Sequence, residues 1–321
     1  MLQRRFCTAG FAVCIALDLT KSMASLEPGT RPFYKYVSPD TACKILQNKT
    51  VRYSSPLTFN DPFDVQAGLH FDFNVNLLLG KIIDRLEALA SQTTAPEVDP
   101  NDVWGQIVLK VREFYPSQGF KKERWLQTFK PAFEQLAAIF EETRSKYQAH
   151  WQDNLLPGAR VFCVTEDRDN LLMWAHYAKE HTGAVFEFWS LPDEDNPLSI
   201  ARQVQYRREP PPFFSEAEFI DDLLSLRKLD FSSLYRQYAY FKSSHWAYER
   251  EWRVWYPLSK SNLHDLMPIR PSEFCAIYLG CRISKEDRDR IITLAGNSFP
   301  NAKMYQAHKR DHSYELTYSE V

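Results

Sequence analysis

The sequence predicts an α+β fold, and three observations carry that reading. Short runs rich in aromatic and β-branched residues cluster toward both ends of the chain. Long stretches of helical periodicity lie between them. The order is mixed, without the regular strand–helix alternation of a parallel α/β array.

The elements follow in chain order. Phe33-Tyr34-Lys35-Tyr36-Val37 reads as a strand. Pro39-Asp40-Thr41 starts a short helix through Leu46, and Val51 to Ser54 is a second strand ended by Pro56. The turn segment SSPLTFNDPFD occupies residues 54–64. Val75, Leu78, Leu79, Ile82, Ile83, Leu86 and Leu89 fall at helical spacing. After a polar loop over 92–101, Val103 to Phe114 gives another amphipathic helix, and Trp125 to Trp151 gives more, with Pro131 expected to start a turn or kink. Residues 74–156 therefore read as a helical insertion within a single α+β domain spanning 31–321.

The texture then changes. Ala159 to Thr165 reads as a buried strand. Asp169 is expected to cap a helix running from Leu171 to Glu180, with Gly183 at its stop and a strand from Gly183 to Phe188. Ala201 to Tyr206 is a further strand candidate, and 214–241 reads as largely helical. The stretch HWAYEREWRVWYPL at 245–258 begins in a turn and becomes a strand. Phe274 to Gly280 is strand-like, Ser284 caps a helix ending at Gly296, and Ala302 to Gln306 is a last strand.

Composition narrows the function classes. The 321 residues are 44% hydrophobic and 14% aromatic, enough for a core. A net charge of −2 gives no field that would draw nucleic acid or an anionic membrane. Neither GxGxxG nor GxxxxGK[ST] occurs, which disfavours a Rossmann site and a Walker loop. The six cysteines are scattered without a CxxC pair, as expected of reduced thiols in a cytoplasmic protein. Residues 1–30 form an N-terminal extension. There Arg4 and Arg5, an apolar run from Phe6 to Leu17 and Ser22-Met23-Ala24 have the pattern of a secretory signal, so export is the minority alternative. The apolar run is too short to span a bilayer.

Three constellations could carry chemistry. In the FNDPFD turn, Phe59 and Phe63 are expected to anchor the bend, and Asn60 to close it as an Asx-turn. Ser54, Ser55, Asn60, Asp61 and Asp64 are its cleft candidates. On the helix, Met173, His176, Tyr177 and Glu180 share a face, so His176 and Tyr177 are expected to be polar tips in a tight place. His176 and His181 are five apart, the wrong spacing for a helical zinc pair, and no metal is expected. In the strand, Glu249, Glu251 and Arg253 alternate onto one face. They could form an ion-pair ladder, or offer carboxylates to a sugar ring developing positive charge.

Together, the boxes FNDPFD, MWxHYA and YExEWR resemble those of a widespread bacterial domain-of-unknown-function family, from about Phe33 to Gly280. The layout is also similar to the ADP-ribosyltransferase fold. That resemblance implies a split, mixed or antiparallel sheet holding NAD as substrate without a Gly-rich loop. It further implies that Lys35 meets the pyrophosphate, Ser54 or Ser55 fills the serine position, and Tyr177 stacks on nicotinamide. Glu251, with Glu249 beside it, would then be catalytic. Lys35 departs from the Arg or His usual in that superfamily, and the FNDPFD box has no counterpart in it. Such an activity would suit a bacterial stress, toxin or phage-defence setting.

The alternative is a non-catalytic module whose pocket binds a nucleotide or a protein. Metal-dependent phosphoester hydrolysis through Asp61, Asp64 and a glutamate ranks last, because no spacing supports a metal site.

Overall fold

A computed structural model describes residues 31–191, 193–194, 196–257 and 262–321. The signal-like pattern, Cys7, Cys14 and Leu258 lie outside the described residues. The chain is α+β and divides into two compact units: Gly68–Gln152 with Pro211–Ala239, and 31–67 with Asp153–Pro210 and Tyr240–Val321.

The first unit is helical. Helices span Leu79–Ser91, Val103–Gln118 and Lys122–Ala149, followed by Glu216–Leu223 and Phe231–Tyr238. Pro131 lies inside the 28-residue helix and does not end it, so no turn starts there. Its missing N–H is tolerated because a long helix retains its other backbone bonds on both sides. Phe140 packs edge-on against Phe219 at 4.7 Å and joins Phe71, Phe73 and Phe214 in an aromatic core.

The second unit is built on a mixed sheet. Strand β1 (Arg31–Val37) is followed by helix α1 (Pro39–Asn48) and β2 (Thr50–Ser54). Then come β3 (Ala159–Thr165), the short helix α2 (Leu171–His176) and β4 (Ala184–Ser190). The small strands β5 (Arg202–Gln203), β6 (Gln205–Arg207) and β7 (Phe241–Ser243) precede β8 (Glu251–Pro257) and β9 (His264–Pro268). Strand β10 (Phe274–Leu279), helix α3 (Lys285–Ser298), β11 (Lys303–Lys309) and β12 (Leu316–Glu320) complete it.

The strand order is β12-β11-β10-β4-β1-β3-β2-β9, with β8 paired to β3 and β5 to β8. Only β10–β11 is parallel within this sheet. Two ladders fix it. Strand β1 pairs with β4 over seven residues, and β3 pairs with β8 over seven. Between β1 and β3 only Tyr34 and Thr165 are registered, and between β2 and β3 only Ser54 and Val161. The sheet therefore opens around β3.

Alternation sets the two faces. Phe33, Val37, Phe162, Val164, Phe186 and Val254 point to the larger core, which α1 and α3 cover. Tyr36, Val185, Trp174 and Tyr278 point to the other face.

Several local expectations are corrected. Asn170, not Asp169, caps α2: its Oδ1 accepts from Leu172 and Met173 N–H. The helix stops at His176 rather than Glu180, because Lys179, Glu180 and His181 all take left-handed backbone, which ends helical hydrogen bonding. Gly183 has a separate role. A Cβ there would lie 2.1 Å from the Val37 carbonyl oxygen, so only glycine permits that approach. Strand β8 starts at Glu251. Residues Ser244–Glu249 form a 3-10 helix, and Arg250 turns in left-handed backbone between the two.

Candidate functional site

A cavity of about 750 Å³ lies in the second unit, where the sheet opens. Lys35, Ser54, Asn60, Asp64, His176, Tyr177, Glu249 and Glu251 all line it, brought there by β1, β2, the turn after it, α2 and β8. Ser55, Asp61 and Arg253 do not.

The turn is built by Asp61 rather than Asn60. Asp61 Oδ1 accepts from Phe63 N–H at 2.9 Å, and its Oδ2 accepts from Trp246 Nε1 at 2.6 Å. Both carboxylate oxygens are thereby spent on structure, which removes Asp61 from the cleft candidates. Ser55 is removed for a similar reason: it is fully buried, and its Oγ donates to the Leu156 carbonyl at 2.7 Å. Phe63 is 76% exposed and anchors nothing, whereas Phe59 covers the Arg253 guanidinium at 5.5 Å. Val65 follows in left-handed backbone (φ 51), uncommon for a β-branched residue, and Asp64 beside it is 3% exposed.

Asp64 enters a buried ionic cluster. Arg253 NH2 reaches Asp64 Oδ2 at 2.6 Å, and Arg253 Nε reaches Glu251 Oε1 at 2.8 Å. Lys242 Nζ sits among three carboxylates: Glu249 at 2.5 Å, Glu251 at 2.9 Å and Asp64 at 3.5 Å. Tyr177 donates its hydroxyl to Glu249 Oε1 at 2.5 Å, and Tyr206 accepts from the Glu251 backbone N–H at 2.7 Å. Arg253 is completely buried behind the carboxylates, so it holds the site together rather than facing a ligand. His176 is exposed at the cavity edge, not the confined polar tip expected of it. Its helix ends there, and the chain turns away.

The electrostatics separate the three acids. Burial is the largest influence on each and favours the neutral form. At Glu251, attraction from Arg253 and Lys242 outweighs it and holds the carboxyl well below its ordinary range. At Asp64 burial prevails over Arg253, and at Glu249 it prevails over Lys242, so both are raised. Burial works against the Lys242 ammonium, but Glu251, Asp64 and Glu249 together keep it charged.

Lys35 stands apart from this cluster. Its Nζ donates to the Cys163 carbonyl at 2.7 Å across the opening between β1 and β3. It makes no ion pair among the described residues. The cavity thus has a cation at one part of its wall and an acid-rich cluster at another.

Lys242 is the functional candidate that sequence reasoning missed. It lies in the short strand FKS, seven residues before Glu249 and nine before Glu251, at no spacing that signals a shared site. Only the fold of the intervening 3-10 helix brings its ammonium to the carboxylates.

Among the described residues, no group of three or more His, Cys, Asp or Glu side chains could hold a metal ion, and no helix is long and apolar enough to cross a membrane. Cys43, Cys163, Cys275 and Cys281 are free thiols.

Residues 173–254 match a family model described as a protein of unknown function (DUF2971). The match spans the MWAHYA segment, Lys242 and the Glu249–Arg253 segment. It does not extend to Lys35 or the FNDPFD box, so it covers part of the resemblance expected from about Phe33 to Gly280. No curated protein and no solved structure matches the chain.

Proposed function

We propose that the cavity binds NAD and that the chain cleaves its nicotinamide–ribose bond, passing ADP-ribose to a macromolecular target or to water. One observation carries the reading. Lys35, Ser54, Tyr177, Glu249 and Glu251, widely separated in sequence, line a single cavity. Lys35, which makes no ion pair among the described residues, would meet the diphosphate. Tyr177 would bear on the nicotinamide ring, and Glu249 and Glu251 would stabilise the cation that develops on ribose. In the reaction, the C1′–N bond breaks and its electron pair passes to the pyridinium nitrogen, so nicotinamide leaves neutral. A hydroxyl oxygen then bonds to C1′ and its proton goes to solvent or to Glu249.

The test is incubation of the purified chain with NAD labelled in the adenylate part, with and without cell extract. Released nicotinamide or transferred label is expected, with at least a hundredfold loss in Glu251→Gln, on the order of removing an electrostatic transition-state contact. Release or transfer that is absent from the native chain, or unaltered in a folded Glu251→Gln variant, overturns the proposal.

A specific observation favours a second reading, nucleotide binding without turnover. Both Glu251 oxygens already accept from Arg253 or Lys242, and the residue is 5% exposed. On that reading nucleotide raises the melting temperature and is recovered unchanged.

A further inference from the structure

The ionic cluster does not balance. Asp64, Glu249 and Glu251 can carry three negative charges, against two positive charges on Lys242 and Arg253. Lys35 makes no ion pair with them, and Arg250 is exposed. The imbalance has an atomic address: Asp64 Oδ1 is buried and has no hydrogen-bond partner among the described residues. A buried acceptor left unmet costs about 1–3 kcal/mol, more for a charged one. Two additions would relieve it, a proton or a further cation. The Lys242 ammonium already sits among the carboxylates at 2.5, 2.9 and 3.5 Å, and among the described residues no group of three or more His, Cys, Asp or Glu side chains could hold a metal ion as a second point charge. The adjoining cavity wall carries Tyr177 and Phe59, the latter with its ring already over Arg253, and aromatic rings attract an extended organic cation.

We propose that this acid-rich part of the cavity is a subsite for a singly charged organic cation of the pyridinium type, which enters in exchange for the one proton that three carboxyls facing two cations call for. The inference rests on the nucleotide reading of the same cavity, since the nicotinamide ring of NAD is such a cation. It assigns Asp64, the last residue of the FNDPFD box, a part in recognising the ligand's charge. With the proton in place the cluster is neutral. When the proton leaves to solvent, the cation restores neutrality. The other titratable groups facing the cluster are Cys163 on β3, His176 and Tyr177 at the end of α2, Tyr206 on β6 and Tyr248 on the 3-10 helix. Burial first, then neighbouring carboxylates, raises Cys163, Tyr177 and Tyr248; burial also raises Tyr206, so these four hold their protons at neutral pH. His176, being exposed, is controlled for by a His176→Gln variant.

Titration calorimetry with the N-methylnicotinamide cation and neutral nicotinamide tests this without turnover. Failure of NAD cleavage is therefore a separate result. At about pH 8, above the ordinary carboxylate range, the cation is expected to bind at least about tenfold more tightly than the neutral ring. At about pH 5 that advantage should shrink, in the native chain and in His176→Gln alike. Titrations in buffers of different ionisation enthalpy should show up to about one proton released. Asp64→Asn should abolish the advantage without lowering the melting temperature at neutral pH. Equal affinities, a pH-independent advantage, or no binding of either ring up to about millimolar overturns the proposal. These readouts use the native chain, so the test stands if Asp64→Asn fails to fold.

Discussion

Lys242 ties together three carboxylates that repel one another. Removing one partner from a buried ion cluster leaves uncompensated charge, which typically costs about 3–5 kcal/mol. Lys242→Met is expected to lose that much in denaturant titration at neutral pH. The loss should diminish in acid, where Asp64 and Glu249 take up protons. The signs oppose each other within the cluster. Glu251 is held below its ordinary value of 4.5, so the stability it contributes is present above that pH and is lost as pH falls through its depressed folded value. Asp64 and Glu249 are raised, so their contribution is present below their ordinary values and lost as pH rises through their folded ones. In Glu251→Gln the acid limb of the stability profile below about pH 4.5 should flatten, as read by thermal melts across pH. At this scale the sequence showed the acids and the aromatics. It did not separate Asp61 from Asp64, because one spends both oxygens on Phe63 and Trp246, while the other gives Oδ2 to Arg253 and leaves Oδ1 without a hydrogen-bond partner among the described residues.

At the scale of elements, most strands were legible from local pattern. Ala159–Thr165 is a strand over the whole run expected, because both its faces are largely buried and all its residues except Arg160 are apolar or β-branched. The ends of elements were less legible. Helix α2 starts at Leu171 as expected, but its cap lies one residue after the expected one and its end four residues short, since backbone dihedrals at Lys179, Glu180 and His181 depend on what they pack against. Gly183 belongs at this scale. Gly183→Ala would drive a Cβ into the Val37 carbonyl and should cost about 1–3 kcal/mol, the usual penalty of overpacking. A melting temperature equal to the parent's would contradict the close approach. Strands β9 and β12 were missed: both are half-exposed, and their polar alternation resembles loop composition.

For the whole molecule, the decisive feature is the opening of the sheet between β3 and its neighbours β1 and β2, where single registered pairs replace ladders. It exposes backbone and side chains of β1, β2 and β3 to one cavity. A ligand that occupies it only in the folded state stabilises the chain by mass action, about 2.7 kcal/mol at a hundred times Kd. Thermal shift with NAD at saturation is expected to read that gain, and Lys35→Ala should reduce it. An unchanged melting temperature over the same range would count against the cavity as a nucleotide site.

By itself the sequence determined the α+β class, the run of strands from β1 to β4, the long helices between, and which segments hold polar groups beside aromatics. Those features are local: they follow from periodicity, branching and turn chemistry within a few residues. Tertiary structure alone decided which polar groups meet. Asp64, Lys242, Glu249 and Arg253 reach one another because β8 lies on β3 and the FNDPFD turn folds back toward both. Hydrogen bonds and charge balance are settled by distance in space, to which spacing along the chain gives no guide.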